Sequence, residues 1–226
     1  YVVGAGLAGL RCARRLHDKG VPRLVADYYV TLGKNGMEKT REGDQKTPLG
    51  VYQTGLFDEG AVEIAAYDPA FMFELAVILQ DGLKRMYQDQ EELSYYITLY
   101  NESYPMPAMP PNAEDGIREG LYRFKAAPEK GKHRAHLLAS GPLVNEALKA
   151  QDLLLQRYGV AADVWSATSY KTLRGKTLEA ERWNMWHPDE PPRVSYLQKT
   201  AQRFDGPCVA VSDYVRLVSQ QIAPWV

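Results

Sequence analysis

From residue 57 onward the apolar and polar positions alternate between two periods, one near 2 and one near 3.6, the signatures of strand and helix. Val62–Tyr67 predicts a strand, after which Asp68 and Pro69 supply an N-cap and a first helical position. Phe71, Leu75, Ile78, Leu79, Leu83 and Met86 then keep helical spacing through Tyr87. Glu92–Tyr100 returns to strand periodicity, with Tyr95, Tyr96 and Tyr100 as core candidates. The prolines of Pro105–Pro111 exclude helix and central strand there. Asp115–Leu121 predicts a short helix leading into a strand over Tyr122–Lys125, and Ala126–Lys132 reads as a charged linker.

A second block repeats the alternation. His136–Ala139 predicts a strand, Ser140-Gly141-Pro142 a turn and Leu143–Tyr158 a helix. Ala162–Ser169 predicts a strand, Leu178–Met185 a helix and Cys208–Ser212 a strand, with Asp213 capping a last helix over Tyr214–Ile222. Strands alternating with helices across glycine turns give an α/β class, mainly parallel sheets covered by helices.

The first 56 residues follow other patterns. Tyr1-Val2-Val3 feeds Gly4-Ala5-Gly6-Leu7-Ala8-Gly9, then a helical stretch Arg11–Lys19 and a strand Arg23–Ala26 ending on Asp27. In a dinucleotide site, Gly4 would form the tight turn, Gly6 would let the backbone approach a pyrophosphate and Gly9 would let helix and strand pack closely. Asp27 stands where an acid holds a ribose hydroxyl. The stretch resembles the flavin-binding N-terminus of amine-oxidase and desaturase-type flavoproteins, a truncated Rossmann-like βαβ; the alternative is a glycine turn without a ligand. Next, Tyr28–Leu32 predicts a strand, Asn35-Gly36 a hairpin turn, and Gly43-Asp44-Gln45-Lys46-Thr47-Pro48-Leu49-Gly50-Val51-Tyr52 resembles the front of an L,D-transpeptidase domain. That family's later nucleophilic cysteine region has no counterpart, since Cys208 lacks the flanking serine, glycine and arginine. An exposed turn and hairpin is the expected role of this stretch.

The rear block resembles the homodimeric-type E1 component of the pyruvate dehydrogenase complex. The runs are Ala66–Phe71, Asp81–Tyr87, Tyr95–Thr98, Asn101–Tyr104, Pro107–Pro110, Glu181–Met185 and Gly206–Ala210 before Ser212-Asp213-Tyr214. The resemblance implies transketolase-like middle and C-terminal domain fragments. It also implies thiamine diphosphate and Mg²⁺, a second E1 subunit and a lipoyl-bearing E2 partner, with pyruvate decarboxylation and acetyl transfer as the reaction. Glu102 and Tyr104 match the family's N-E-x-Y run and are the candidate catalytic residues; Pro105 stands where some members carry a histidine. The family's G-D-G…N metal and diphosphate motif is missing, and no metal ligands are assigned. His187, Trp183 and Trp186 are expected to pack, and His133 and His136 to flank a strand start without a metal.

Four segments follow: 1–27 dinucleotide-binding, 28–56 transpeptidase-like, 57–130 the end of a pyrimidine-binding domain and 131–226 a C-terminal domain. Their junctions near Asp27–Tyr28 and Gly55–Asp58 are abrupt, so the chain reads as a composite in which each motif set is incomplete. FAD oxidoreduction is the alternative function, and a non-catalytic α/β assembly piece the third. Composition narrows the field further. With 27 basic and 28 acidic residues in 226, charge alone recruits no nucleic acid. No apolar run approaches a membrane span, and two distant cysteines suggest a reducing cytoplasm.

Overall fold

The computed structural model describes the backbone of residues 24–29, and residues 63–101 and 103–226 with their side chains. The glycine motif at Gly4, Gly6 and Gly9, the helix after it, the hairpin and transpeptidase-like readings and Glu102 lie outside the described residues. Two compact units divide the chain, one holding described residues 24–29, 63–65 and 83–105, the other residues 66–82 and 106–226.

In the first unit, β1 (Leu24–Tyr29) runs parallel to β3 (Leu93–Tyr100), with Leu24 opposite Tyr95 and Asp27 opposite Thr98. β2 (Glu63–Tyr67) completes a three-stranded sheet of order β1-β3-β2, so β3 is central. β1 joins the end of one expected strand, Arg23–Ala26, to the start of another, Tyr28–Leu32. Along β3, Leu93, Tyr95 and Ile97 are buried at every second position, as period 2 requires. Before β3 a π-helical turn, Lys84–Gln88, carries Arg85, whose guanidinium meets Glu91 at 2.6 Å and the Tyr95 hydroxyl at 3.4 Å.

The second unit is built on a four-stranded sheet of order β4-β6-β5-β7: β4 (Tyr122–Lys125), β5 (His133–Ala139), β6 (Val160–Ser166) and β7 (Cys208–Val211). β5, β6 and β7 are mutually parallel and β4 is antiparallel to β6. Helix α1 (Met72–Leu83) precedes this sheet in the chain, and α2 (Glu114–Glu119) leads into β4. Helix α3 (Leu143–Tyr158) makes the crossover from β5 to β6 and buries Val144 and Ala147. Gly159, at φ +64°, ends it in a left-handed conformation that costs glycine little. The other face of the sheet presents Leu138 and Trp165 to Tyr170 and Leu173 of α4 (Tyr170–Trp186), Leu197 of α5 (Tyr196–Ala201) and Ile222. A last short helix, α6 (Arg216–Gln220), follows β7.

Three expectations are corrected at helix starts. Asp68 is not an N-cap: α1 begins at Met72, and the Glu74 carboxylate takes the N–H groups of Ala70 and Phe71. The Asp68 backbone instead donates to Thr168 O at 2.7 Å and accepts from Gly141 N. Asp213 is not the N-cap of the last helix either; α6 starts after Val215, and Ser212 Oγ accepts the Tyr214 N–H. The strand expected through Ser169 stops at Ser166, because Ser169 is the N-cap of α4, its hydroxyl accepting Thr172 N–H at 3.0 Å. The helix it starts is far longer than the expected Leu178–Met185.

Candidate functional site

Chemistry in open α/β sheets gathers beyond the carboxyl ends of the strands. The segment Asn101–Pro105 leaves the carboxyl end of β3, the central strand of its sheet. Asn101 and Ser103 are exposed there and Tyr104 is half-buried. Its phenol can both donate and accept a hydrogen bond. Asp27, the other sequence-named acid with a described backbone, lies within β1 opposite Thr98, two residues short of the strand end.

A second concentration of chemistry lies in the larger unit. His136, Asp163, Trp165 and Cys208 occupy one face of the sheet, because Asp163 and Cys208 are both register partners of His136. His136 is therefore inside β5 rather than at its start, and only 1% exposed. Its Nδ1 stands 3.5 Å from Asp163 Oδ2 and its Nε2 3.1 Å from Asp205 Oδ1. Arg134 bridges the same two carboxylates, at 2.9 Å to Asp163 and 3.1 Å to Asp205, and Arg123 lies 3.6 Å from Asp163. Partial desolvation raises the Asp205 carboxyl, but the bond and charge of Arg134 and the bond to His136 outweigh it and hold the group below its usual range. Beside this cluster an open cavity of about 550 Å³ is lined by Phe204, Gly206, Cys208 and Trp225 among others. Burial pushes the Cys208 thiol up, which makes it a poor nucleophile.

His136, Asp163 and Asp205 are the group of described residues whose spacing admits a metal ion. Their arrangement argues against one. The Arg134 guanidinium already holds both carboxylates, at 2.9 Å and 3.1 Å, and supplies the positive charge that a cation would bring. A diphosphate-bound Mg²⁺ needs near-octahedral oxygen ligands. The described residues do not fit that group.

The Glu181–Met185 run is structural. Glu181 accepts the Trp225 indole N–H at 2.6 Å. Trp183 lies between the His187 ring, stacked at 4.3 Å, and the Arg193 guanidinium at 3.9 Å. Asn184 exchanges two hydrogen bonds with the Arg193 backbone. Trp186 departs from expectation: it does not pack and is 76% exposed.

The fold defined by these units is that of the transketolase-like class. Residues 120–225 match the family model of the transketolase-like TK C-terminal domain. The transketolase of Campylobacter jejuni subsp. jejuni superposes with a TM-score of 0.50 at 14% identity, covering 86% of this chain and 25% of that one. Residues 51–107 match the middle domain of the pyruvate dehydrogenase E1 component. The pyruvate dehydrogenase E1 components of Escherichia coli K12 and Pseudomonas aeruginosa are 45% and 41% identical over 162 and 160 residues, 71% of this chain in each case. The larger part of the chain thus resembles the pyruvate dehydrogenase E1 component, and it spans about 18% of the length of these curated relatives.

Proposed function

We propose that residues 57–226 are the rear part of a thiamine-diphosphate E1 enzyme, residues 57–130 ending its pyrimidine-binding domain and 131–226 belonging to its C-terminal domain. The observation that carries this reading is the ordered match to two consecutive E1 and transketolase-like domains. The reaction of the whole assembly is decarboxylation of pyruvate with transfer of the acetyl unit to a lipoyl group on an E2 partner, by a homodimer in the cytoplasm. Among the described residues, no helix is long and apolar enough to cross a membrane. This chain's share of the chemistry is the substrate-side segment: the Tyr104 phenol and the Glu102 carboxylate are a proton donor and acceptor suited to general acid–base work. The isolated chain turns over nothing, because the diphosphate and metal ligands come from elsewhere.

The test is reconstitution. The full 226-residue chain is mixed with a polypeptide carrying the remaining length of an E1 component, thiamine diphosphate, Mg²⁺, pyruvate and a lipoyl domain. Acetylated lipoyl domain should form in the mixture alone, and Tyr104→Phe or Glu102→Gln should each slow it by about tenfold or more. A stable complex of the two polypeptides that transfers no acetyl group would sink the reading. The FAD alternative rests on Gly4, Gly6, Gly9 and Asp27 as cofactor-binding residues, and a purified chain without flavin absorbance after loading with FAD would remove it.

A further inference from the structure

β7 is the last strand of its sheet, and no described strand lies beyond it. Its pairing with β5 fixes which backbone groups remain open. The Pro207 carbonyl accepts the His136 N–H at 2.9 Å and the Val211 carbonyl accepts the Ser140 N–H at 3.3 Å. In a parallel ladder alternate residues bond the same neighbour, so Val209 faces β5 as well. Cys208 and Ala210 therefore turn their N–H and C=O groups to the outer edge. Nothing in Cys208-Val209-Ala210-Val211 blunts that edge with charge or proline. Ala210 is exposed, and Val209, whose side chain lies on the opposite face, is 50% exposed.

The side chains beside the edge add a second feature. Cys208 is one wall of the open cavity of about 550 Å³, whose other walls include Gln202, Phe204, Trp225 and Val226. No charged side chain lines it. Open strand groups flanked by an apolar cavity are the layout of strand addition, in which main-chain bonds give affinity and pockets for alternate side chains give selectivity.

We propose that the outer edge of β7 receives an extended segment of another polypeptide, with a large apolar side chain seated in the cavity beside Cys208. The inference is independent of the E1 reading. A second copy of this chain is the simplest rival, because β7 can pair with itself about a two-fold axis. In that pairing Val209 would meet its own counterpart, and Cys208 would exchange hydrogen bonds with Ala210 of the second copy. Only an alanine methyl would then stand opposite Cys208, and the cavity would stay unfilled. A segment with leucine or a larger apolar residue at alternate positions satisfies both the backbone groups and the cavity.

The test is NMR hydrogen exchange on the full chain, alone and with a hexapeptide alternating leucine and threonine at about 1 mM, a concentration that registers even millimolar affinity. The Cys208 and Ala210 amides should slow by about tenfold or more on adding the peptide, whereas Val209, already bonded to β5, should not change. A hexapeptide alternating alanine and threonine should protect them several-fold less. Ala210→Pro removes an outward N–H without touching the bonds to β5, and should abolish the protection at Cys208. The alanine peptide decides the matter where that variant fails to fold. No slowing with either peptide, or equal slowing with both, would overturn the proposal. So would Cys208 and Ala210 amides that slow in the chain alone as its concentration rises, the sign that a second copy covers the edge.

Discussion

The Tyr122 hydroxyl donates to Glu74 Oε1 at 2.6 Å, joining residues 48 apart in sequence inside the larger unit. Glu74 lies in the stretch that matches an E1 middle domain, Tyr122 in the stretch that matches a transketolase-like C-terminal domain. Ser166 Oγ reaches the same oxygen at 2.7 Å, while Oε2 takes the Ala70 and Phe71 N–H groups. One fully buried carboxylate thus bolts α1 to β4 and β6 and has donors on both oxygens. Burial and the charge of Glu74 together push the Tyr122 phenol far above its ordinary value, so it remains a donor.

Removing this bolt leaves buried donors without acceptors. Glu74→Ala should lower the unfolding free energy by about 3 kcal/mol, the cost of orphaned buried polar groups. Glu74→Gln should cost less. Burial raises the Glu74 carboxyl from 4.5 against the opposing pull of Tyr122, Ser166 and the two N–H groups. A carboxyl raised on folding contributes stability that is full below 4.5 and is lost as pH rises through the folded value. The glutamine variant should therefore show a flatter dependence of stability on pH above 4.5 in denaturant titrations. A steeper one would contradict the assignment.

Two glycines with positive φ should respond differently to alanine. Gly120, at +103°, ends α2, and a Cβ there would meet the Ser169 carbonyl oxygen at 2.5 Å. That same oxygen belongs to the cap of α4, so neither side can yield. Gly159 adopts +64° with open space around it. Gly159→Ala should cost about 1 kcal/mol, the left-handed penalty alone. Gly120→Ala should cost at least about twice that, and equal midpoints in chemical denaturation would show that the contact is soft.

How much of this was legible follows from which residues carry it. The helix Leu143–Tyr158 and the strand Tyr122–Lys125 coincide with their expected bounds, because sharp local signals flank both. Asp68 and Asp213 misled because a capping residue type says nothing about competing tertiary bonds, and the Asp68 backbone was already engaged by Thr168 and Gly141. The capping box at Ser195 and Gln198, which starts α5, was written in the sequence as S-x-x-Q but followed a proline pair that reads as loop. The His136 cluster was not legible at all. It unites residues from β5, β6 and the approach to β7, and only strand register brings them to one face.

Cys208 offers a pH-linked prediction. Its thiol is raised from 9.0 by burial, so at neutral pH it holds less than the few per cent of thiolate present in an unfolded chain. Because the thiolate is the reactive form, iodoacetamide should modify Cys208 several-fold more slowly in the folded protein than in denaturant. Peptide-resolved mass spectrometry keeps Cys12 separate. A native rate equal to the denatured one would show that the thiol is not held by the surrounding side chains.

The last prediction contrasts the two ends of the long helix α4. Leu173 near its start is 1% exposed, packed with Leu121, Leu138, Trp165 and Ile222 in the core of the larger unit. Truncating it to alanine removes apolar burial and leaves a cavity in a close-packed region, a loss of about 2–4 kcal/mol. Met185 and Trp186 at the other end are 74% and 76% exposed, so alanine there removes little buried surface. Those two variants should stay within about 0.5 kcal/mol of the parent. Trp183, between them and the core, is pinned by His187 and Arg193 and should fall between the extremes. Thermal and urea unfolding of the four alanine variants checks the order. A loss at Trp186 comparable to that at Leu173 would mean that the helix tip is buried in solution against another surface.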